Sequence, residues 1–184
     1  MSRNNLPGDR NSLSVREIEL PDIDAIVHYW MNADPMFLKG MGVDVGKLPT
    51  EGQWREMLTG QVIAPIEKKQ SYCLIWEQGG RPIGHCNTRP IIFGKEAYMH
   101  LHLWDAGIRA KGLGVELVKM SLPWFFRNLG LQKLFCEPYA LNPAPNRTLE
   151  KAGFDLVREY ITTPGFLNFE QPVKRWEISV EKMG

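Results

Sequence analysis

Apolar and polar positions alternate from Ser12 to Leu20, with Leu13, Val15 and Ile18 recurring, which predicts a first strand. The period then lengthens. Ile23, Ile26, Val27 and Trp30 recur at helical spacing, Pro21 suits a first helical position, and Asp22 and Asp24 suit the positive end of the helix dipole. A second helix is predicted from Thr50, where Thr50 and Gln53 have capping-box spacing and Trp54, Met57 and Leu58 share a face. Strands follow from Ser71 to Glu77, from Pro82 to Pro90 after a Gly79-Gly80 turn, and from Ala97 to Trp104. A glycine-bearing loop from Ala106 then opens a helix with Val115, Val118, Leu122, Phe125 and Leu129 along one side. Pro123 removes the amide that would bond the carbonyl of Lys119 and predicts a kink or break, and Gly130 ends the helix. Leu131 to Cys136 reads as a short strand, Pro143 to Lys151 as a helix, and Phe154 to Ile161 and Val173 to Val180 as closing strands. This order predicts an α/β fold built on one mixed sheet, with a single domain over residues 12–184 and a disordered polar tail over residues 1–11.

Composition narrows the function classes. The 184 residues suit one domain that buries a core without disulfides or metals. Twenty-two Lys and Arg against 21 Asp and Glu leave no global field to attract nucleic acid. No apolar run is long enough to span a membrane, and the N-terminus lacks a signal-peptide core. Cys73, Cys86 and Cys136 are odd in number and lack metal-ligand spacing, so they read as reduced thiols in a cytoplasmic protein.

The most informative stretch runs from Trp104 to Val115, from a strand end into a helix start. First-turn amides there lack internal partners and the dipole is positive, so the position suits an anion. Gly112 and Gly114 let backbone approach phosphates, and Arg109 and Lys111 add positive charge. The three-glycine dinucleotide fingerprint is not met, and no Gly-Lys-Ser/Thr makes a P-loop. Glycines and basic residues also populate many loops that bind nothing.

Arg109-Ala110-Lys111-Gly112-Leu113-Gly114 resembles the Arg/Gln-x-x-Gly-x-Gly/Ala signature of the GCN5-related N-acetyltransferases, or GNATs. The segment from Asn142 through Asn146 and Glu150 to Gly153-Phe154 is similar to that family's second signature, at the family's distance from the first. The resemblance covers Ser12 to Val180 and implies one mixed, mostly antiparallel sheet flanked by helices. It implies acetyl-CoA as co-substrate and a primary amine as acceptor. By it, the backbone of Leu101 to Leu103 pairs with the pantetheine arm, and Arg109, Ala110, Lys111, Gly112, Leu113, Gly114 and Val115 surround the pyrophosphate. Asn142 hydrogen-bonds the cofactor, a role compatible with capping a helix that starts at Pro143.

On the strand before the loop, Met99, Leu101 and Leu103 take one face and His100, His102 and Trp104 the other. A protonated amine must lose a proton before it attacks a thioester, and histidine titrates in the right range. The resemblance places this face beside the acceptor, so His100 or His102 is a candidate base; the alternative is a neutral pair lining the core. Glu159 competes, at a position resembling the glutamate of some ribosomal-protein N-terminal acetyltransferases, against a reading as a solvent-facing strand carboxylate. Tyr139 is a candidate acid for the departing thiolate, against a reading as a loop aromatic. The family's usual tyrosine and serine donors are replaced by Leu149 and Pro145.

The predicted function is direct acetyl transfer from acetyl-CoA to a primary amine on a small molecule or protein N-terminus, by a monomer or homodimer without a metal. The alternatives are a non-catalytic acyl-CoA-binding regulator and a metal-dependent hydrolase using His100, His102 and Asp105. Ribosomal-protein, aminoglycoside and siderophore-type acceptors all remain open. Trp30, Trp54 and Met57 either line the acceptor mouth or pack in the core.

Overall fold

The computed structural model describes residues 12–109 and 112–183, so the expected tail over residues 1–11 lies outside the described residues. Seven strands form one sheet: β1 (Leu13–Glu17), β2 (Tyr72–Gln78), β3 (Arg81–Ile92), β4 (Glu96–Leu103), β5 (Lys133–Cys136), β6 (Asp155–Thr162) and β7 (Gln171–Ser179). Their order is β1-β2-β3-β4-β5-β7-β6, and only the β4–β5 pair is parallel. Five α-helices flank it: α1 (Ile23–Asn32), α2 (Pro35–Gly40), α3 (Glu51–Ile63), α4 (Leu113–Leu129) and α5 (Pro143–Ala152). Among the described residues, no helix is long and apolar enough to cross a membrane.

Both faces of the sheet are covered, which is why β2 reads as a continuous apolar run. Tyr72, Leu74 and Trp76 join the α4 side with Leu117, Phe125 and Leu129. Cys73 and Ile75 join the α1 and α3 side with Ile26, Trp30 and Trp54. The deepest polar atom on the α4 side is satisfied: Trp76 Nε1 donates to Ser121 Oγ at 2.8 Å, and that hydroxyl donates to the carbonyl of Leu117 at 2.7 Å. A buried polar group left unpaired would cost about 1–3 kcal/mol.

The start of α1 is fixed by charge. The Arg16 fork donates to both oxygens of Asp22 at 2.6 and 2.8 Å, and its Nε donates to Glu77 at 2.8 Å. Asp22 in turn accepts from the Glu19 amide at 2.8 Å. These bonds draw Leu20–Asp22 into a turn of 3-10 helix, so Pro21 precedes α1 rather than opening it. At α3 the predicted capping box between Thr50 and Gln53 forms.

Of the kink or break expected at Pro123, the break does not occur, because α4 runs through that residue. Leu122, Phe125, Phe126 and Leu129 are all buried around that position. Their packing on the sheet outweighs the roughly 3 kcal/mol that an interior proline costs a helix. Gly130 ends the helix in the left-handed region, at φ 62°.

The sheet opens at its parallel pair. Strand β5 pairs with β4 only from Glu96 to Tyr98, while β3 pairs with β4 as far as Leu103. Beyond Cys136 the chain stays bridged to β7 through Tyr139 but parts from β4, so among the described residues the edge of β4 from Met99 to Leu103 has no strand paired with it.

Candidate active site

A cavity of about 710 Å³ lies at this opening and extends beneath α1 and α3. The backbone of β4 alternates in direction, and the Trp104 amide donates to Ile83 on β3 at 3.0 Å. Leu101 and Leu103 therefore turn their backbone polar groups toward the open edge. The Leu103 carbonyl is taken there by Arg109, whose Nε and Nη2 donate at 3.1 and 2.9 Å. The same guanidinium reaches the Trp104 carbonyl at 3.3 Å and lies 3.9 Å over the Phe37 ring. Arg109 thus ties the end of β4 to α2, with its fork turned back toward the strand.

The loop then enters α4. Gly112 is the N-cap at φ 80°, a left-handed conformation that favours glycine, and an added Cβ there would meet nothing within 4 Å. No side chain caps this helix. The Val115 amide donates to the Gly112 carbonyl at 3.2 Å, whereas the Leu113 and Gly114 amides have no partner among the described residues. Ala110 and Lys111 lie outside the described residues. Across the opening, Asn142 caps α5 by accepting from the Ala144 amide at 3.3 Å, with Pro143 at the first helical position, and it lines the cavity.

His100 and His102 share the α1 and α3 face of β4 and both line the cavity. A third imidazole joins them. His85 pairs directly with His102 across the β3–β4 ladder, and the rings stack at 4.7 Å and 21°. His85 Nδ1 accepts from Trp104 Nε1 at 2.8 Å, so its own proton is on Nε2. His102 Nδ1 lies 3.3 Å from the Tyr29 hydroxyl, and the ring meets Trp30 edge-on at 5.0 Å. His100 Nε2 lies 2.9 Å from the Arg89 carbonyl, an acceptor, which puts the proton on Nε2 and leaves Nδ1 with a lone pair.

Burial holds all three rings neutral at pH 7. It pushes His85 down to about 3, helped by the nearby His100. Burial, His85, His100 and Arg109 together drive His102 well below its ordinary value. His100 is lowered by burial, with partial relief from its bond to the Arg89 carbonyl and from the charge of Glu137. Histidine therefore does not escape a shift here, because the sheet and the aromatic wall strip its water away.

The other predicted residues divide. Tyr139 lines the cavity, with its ring edge-on to Phe169 at 5.9 Å. Glu159 is placed elsewhere: it sits on the edge strand β6, is 55% exposed, and pairs with Lys174 at 3.1 Å. The fold does not bring it to the histidines. Cys136 lines the cavity, but burial and the charge of Glu137 raise its thiol, so it stays protonated. Asp105 turns its carboxylate to the Gly107 amide at 2.7 Å. Among the described residues no three His, Cys, Asp or Glu side chains form a metal-holding group.

Sequence reasoning did not pick out His85, Arg89 or Glu137 as site residues, yet all three line the cavity. Glu137 follows β5 and is held by Arg175 at 3.3 Å and by the Tyr160 hydroxyl. Beneath the helices, Trp30 and Trp54 stack at 5.3 Å, and Phe166 and Met57 close the chamber. The readable signal was alternation on β3: His85, Asn87 and Arg89 are two apart, as His100 and His102 are on β4.

The model of the acetyltransferase (GNAT) domain matches residues 12–155. No curated protein matches the sequence significantly. Among solved structures, the spermidine N-acetyltransferase from Vibrio cholerae in complex with CoA and spermine is similar at a TM-score of 0.74 and 19% identity, over 92% of this chain and 96% of that one. RimL, a ribosomal-protein alpha-N-acetyltransferase in complex with coenzyme A, gives 0.75 and 13% over 92% and 95%. AAC(6')-Ib in complex with paromomycin and acetyl-CoA gives 0.72 and 20% over 94% and 96%. With the domain model covering most of its length and the parted β4–β5 pair at its centre, this chain belongs to the GNAT acetyltransferase family.

Proposed function

We propose that the chain transfers the acetyl group of acetyl-CoA to a primary amine by direct attack in a ternary complex. One observation carries the reading: the open edge of β4 leads from the histidine-lined cavity to the amides at the start of α4 that have no partner among the described residues. An extended acyl carrier laid on that edge would meet backbone groups in strand geometry at Leu101 and Leu103. Its diphosphate would reach the Leu113 and Gly114 amides, where Gly112 keeps side-chain bulk away. Asn142, on the facing side, contributes its free amide group.

In this reading His100 accepts the amine proton at Nδ1, the nitrogen its Arg89 bond leaves open. The amine lone pair attacks the thioester carbon, and a backbone amide near Leu103 holds the developing oxyanion. The carbon–sulfur bond then breaks, the thiolate takes a proton from Tyr139, and the second proton shed by the amine nitrogen restores the tyrosine. His102, stacked on His85 and bonded to Tyr29, serves as wall rather than base. No enzyme nucleophile is needed, in keeping with the protonated state of Cys136. The three buried free thiols fit a reducing, cytoplasmic setting.

The test is release of free CoA thiol from acetyl-CoA in the presence of a broad amine panel, with the acetylated amine identified by mass spectrometry. Amine-dependent thiol release with matching product supports transfer. Tight acetyl-CoA binding without turnover on any amine would instead make the protein a regulator.

A further inference from the structure

The charges around the cavity are unevenly matched. Four charged side chains other than histidine line it: Glu17, Lys69, Arg89 and Glu137. Glu17 accepts from the Tyr72 hydroxyl at 2.6 Å. Lys69 donates to the carbonyls of Gln61 and Val62. Glu137 is neutralised by Arg175 and bonded by Tyr160. Among the described residues, Glu17 and Lys69 make no ion pair but have oxygen partners; Arg89 differs, since among those residues no oxygen accepts from its guanidinium. Its contacts are the Met57 sulfur at 3.3 Å and the Phe166 ring, 4.6 Å from the ring centre. Both neighbours belong to the chamber beneath α1 and α3, so the fork is held by an aromatic face and a thioether, neither of which balances its charge.

Much of the rest of that chamber is apolar, although Gln61, Ser71, Asn87 and Gln171 also line it. The stacked Trp30 and Trp54 rings face it, and among the described residues the buried Trp54 indole N–H has no acceptor. A polycation would find Glu137 already paired with Arg175 and Glu17 already bonded to Tyr72, and it would meet the positive charge of Arg89 in a medium that screens poorly. An anion would complete the fork with two parallel charge-assisted bonds. Position matters as well. The Arg89 carbonyl is the partner of the His100 ring, so the residue that carries the guanidinium lies beside the proton acceptor, at the irregularity between Thr88 and Ile91, and both residues line the same cavity.

We propose that the acceptor is a small primary amine carrying both a carboxylate and an apolar or aromatic body, and that Arg89 selects it. This rests on the acetyl-transfer reading. The carboxylate pairs with the Arg89 guanidinium, the body lies against Trp54 and Phe166, and the amine is presented to His100.

The experiment compares kcat/KM for phenylalanine and tryptophan with that for their decarboxylated forms, phenethylamine and tryptamine, and for spermidine and kanamycin. It uses the wild type, Arg89→Gln and Arg89→Lys, with acetyl-CoA affinity measured on each by calorimetry. A charged hydrogen-bonded pair predicts a preference of about 10- to 100-fold for the carboxylated amine in the wild type. That ratio should fall toward unity in Arg89→Gln and to an intermediate value in Arg89→Lys, which keeps charge but loses the fork. Preference for spermidine or kanamycin, preference for the decarboxylated forms, or no turnover of either amino acid overturns the inference. So does a ratio unmoved in both variants. If the wild type fails to bind acetyl-CoA, the acetyl-transfer reading itself fails; if it binds and takes the wrong amine, only this inference does.

Discussion

His85 and His102 stand directly opposite each other on adjacent strands and stack with ring centres 4.7 Å apart, both held neutral in the wall of the cavity. Their folded affinity for protons lies below that of the unfolded chain, and this fixes the sign of a pH effect. Below the ordinary histidine value of 6.5 the unfolded state binds protons that the folded state refuses, so acid favours unfolding. The stabilisation is complete above 6.5 and is lost as pH falls toward the folded value of about 3 for His85.

For His85 alone the loss between pH 7 and pH 5 comes to about 2 kcal/mol. Urea unfolding of the wild type and His85→Gln at pH 7, 6 and 5 should show the steeper decline in the wild type. The glutamine retains an acceptor for Trp104 Nε1. Parallel declines in the two proteins would mean that His85 is not the buried neutral group described.

The stacked pair also shows what was legible in the chain. Alternation on β4 correctly put His100 and His102 on one face, and the two glycine-bearing signatures fell on a strand-to-helix loop and a helix cap as expected. The partnership with His85 was hidden by register. Near the turn, Ile92 pairs with Glu96 and Ile91 with Ala97, which extrapolates to His85 opposite Leu103, on the wrong face. An irregularity between Thr88 and Ile91 shifts the pairing by one, and a one-residue shift reverses the faces. Arg89 stayed obscure for a different reason, since its place depends on Phe166, more than seventy residues later in the chain. Pro123 does not break α4 because local helix propensity is a weaker force than the buried stripe on either side of it.

Replacement of His100 separates base from bystander. His100→Gln should lower kcat by about 10²- to 10⁴-fold while leaving acetyl-CoA affinity intact. In the wild type, activity should fall on the acid side as His100 protonates, with a midpoint below 6.5 because burial lowers it. The variant should lack that acid limb. His102→Gln should act mainly on stability. Full activity and an unshifted pH profile in His100→Gln would remove it from the mechanism.

The β3–β4 contact beside the opening has no spare room. A Cβ at Gly84 would come within 2.4 Å of the His102 carbonyl, which is backbone and has little freedom to move. Gly84→Ala should therefore destabilise the protein by about 1–3 kcal/mol, the usual range for overpacking, read from denaturant midpoints. A neutral result would show that the two strands are farther apart than described.

Direct attack leaves no acetyl group on the enzyme. Intact mass spectrometry after incubation with acetyl-CoA alone should show unmodified protein, and initial-rate plots should intersect rather than run parallel. An acetyl adduct on Cys136, together with ping-pong kinetics, would replace the mechanism with a covalent one.

Calorimetric titration of acetyl-CoA into the wild type and Gly112→Glu bears most directly on the cradle at the start of α4. Gly112 adopts φ 80° with open space around its missing Cβ, so a glutamate meets no clash but strains the left-handed backbone, and it brings bulk and negative charge to the Leu113 and Gly114 amides, which have no partner among the described residues. The wild type should bind saturably at one site, and a folded Gly112→Glu should show no measurable heat of binding. Equal affinity in the two proteins, or none in the wild type, would contradict this assignment of the loop.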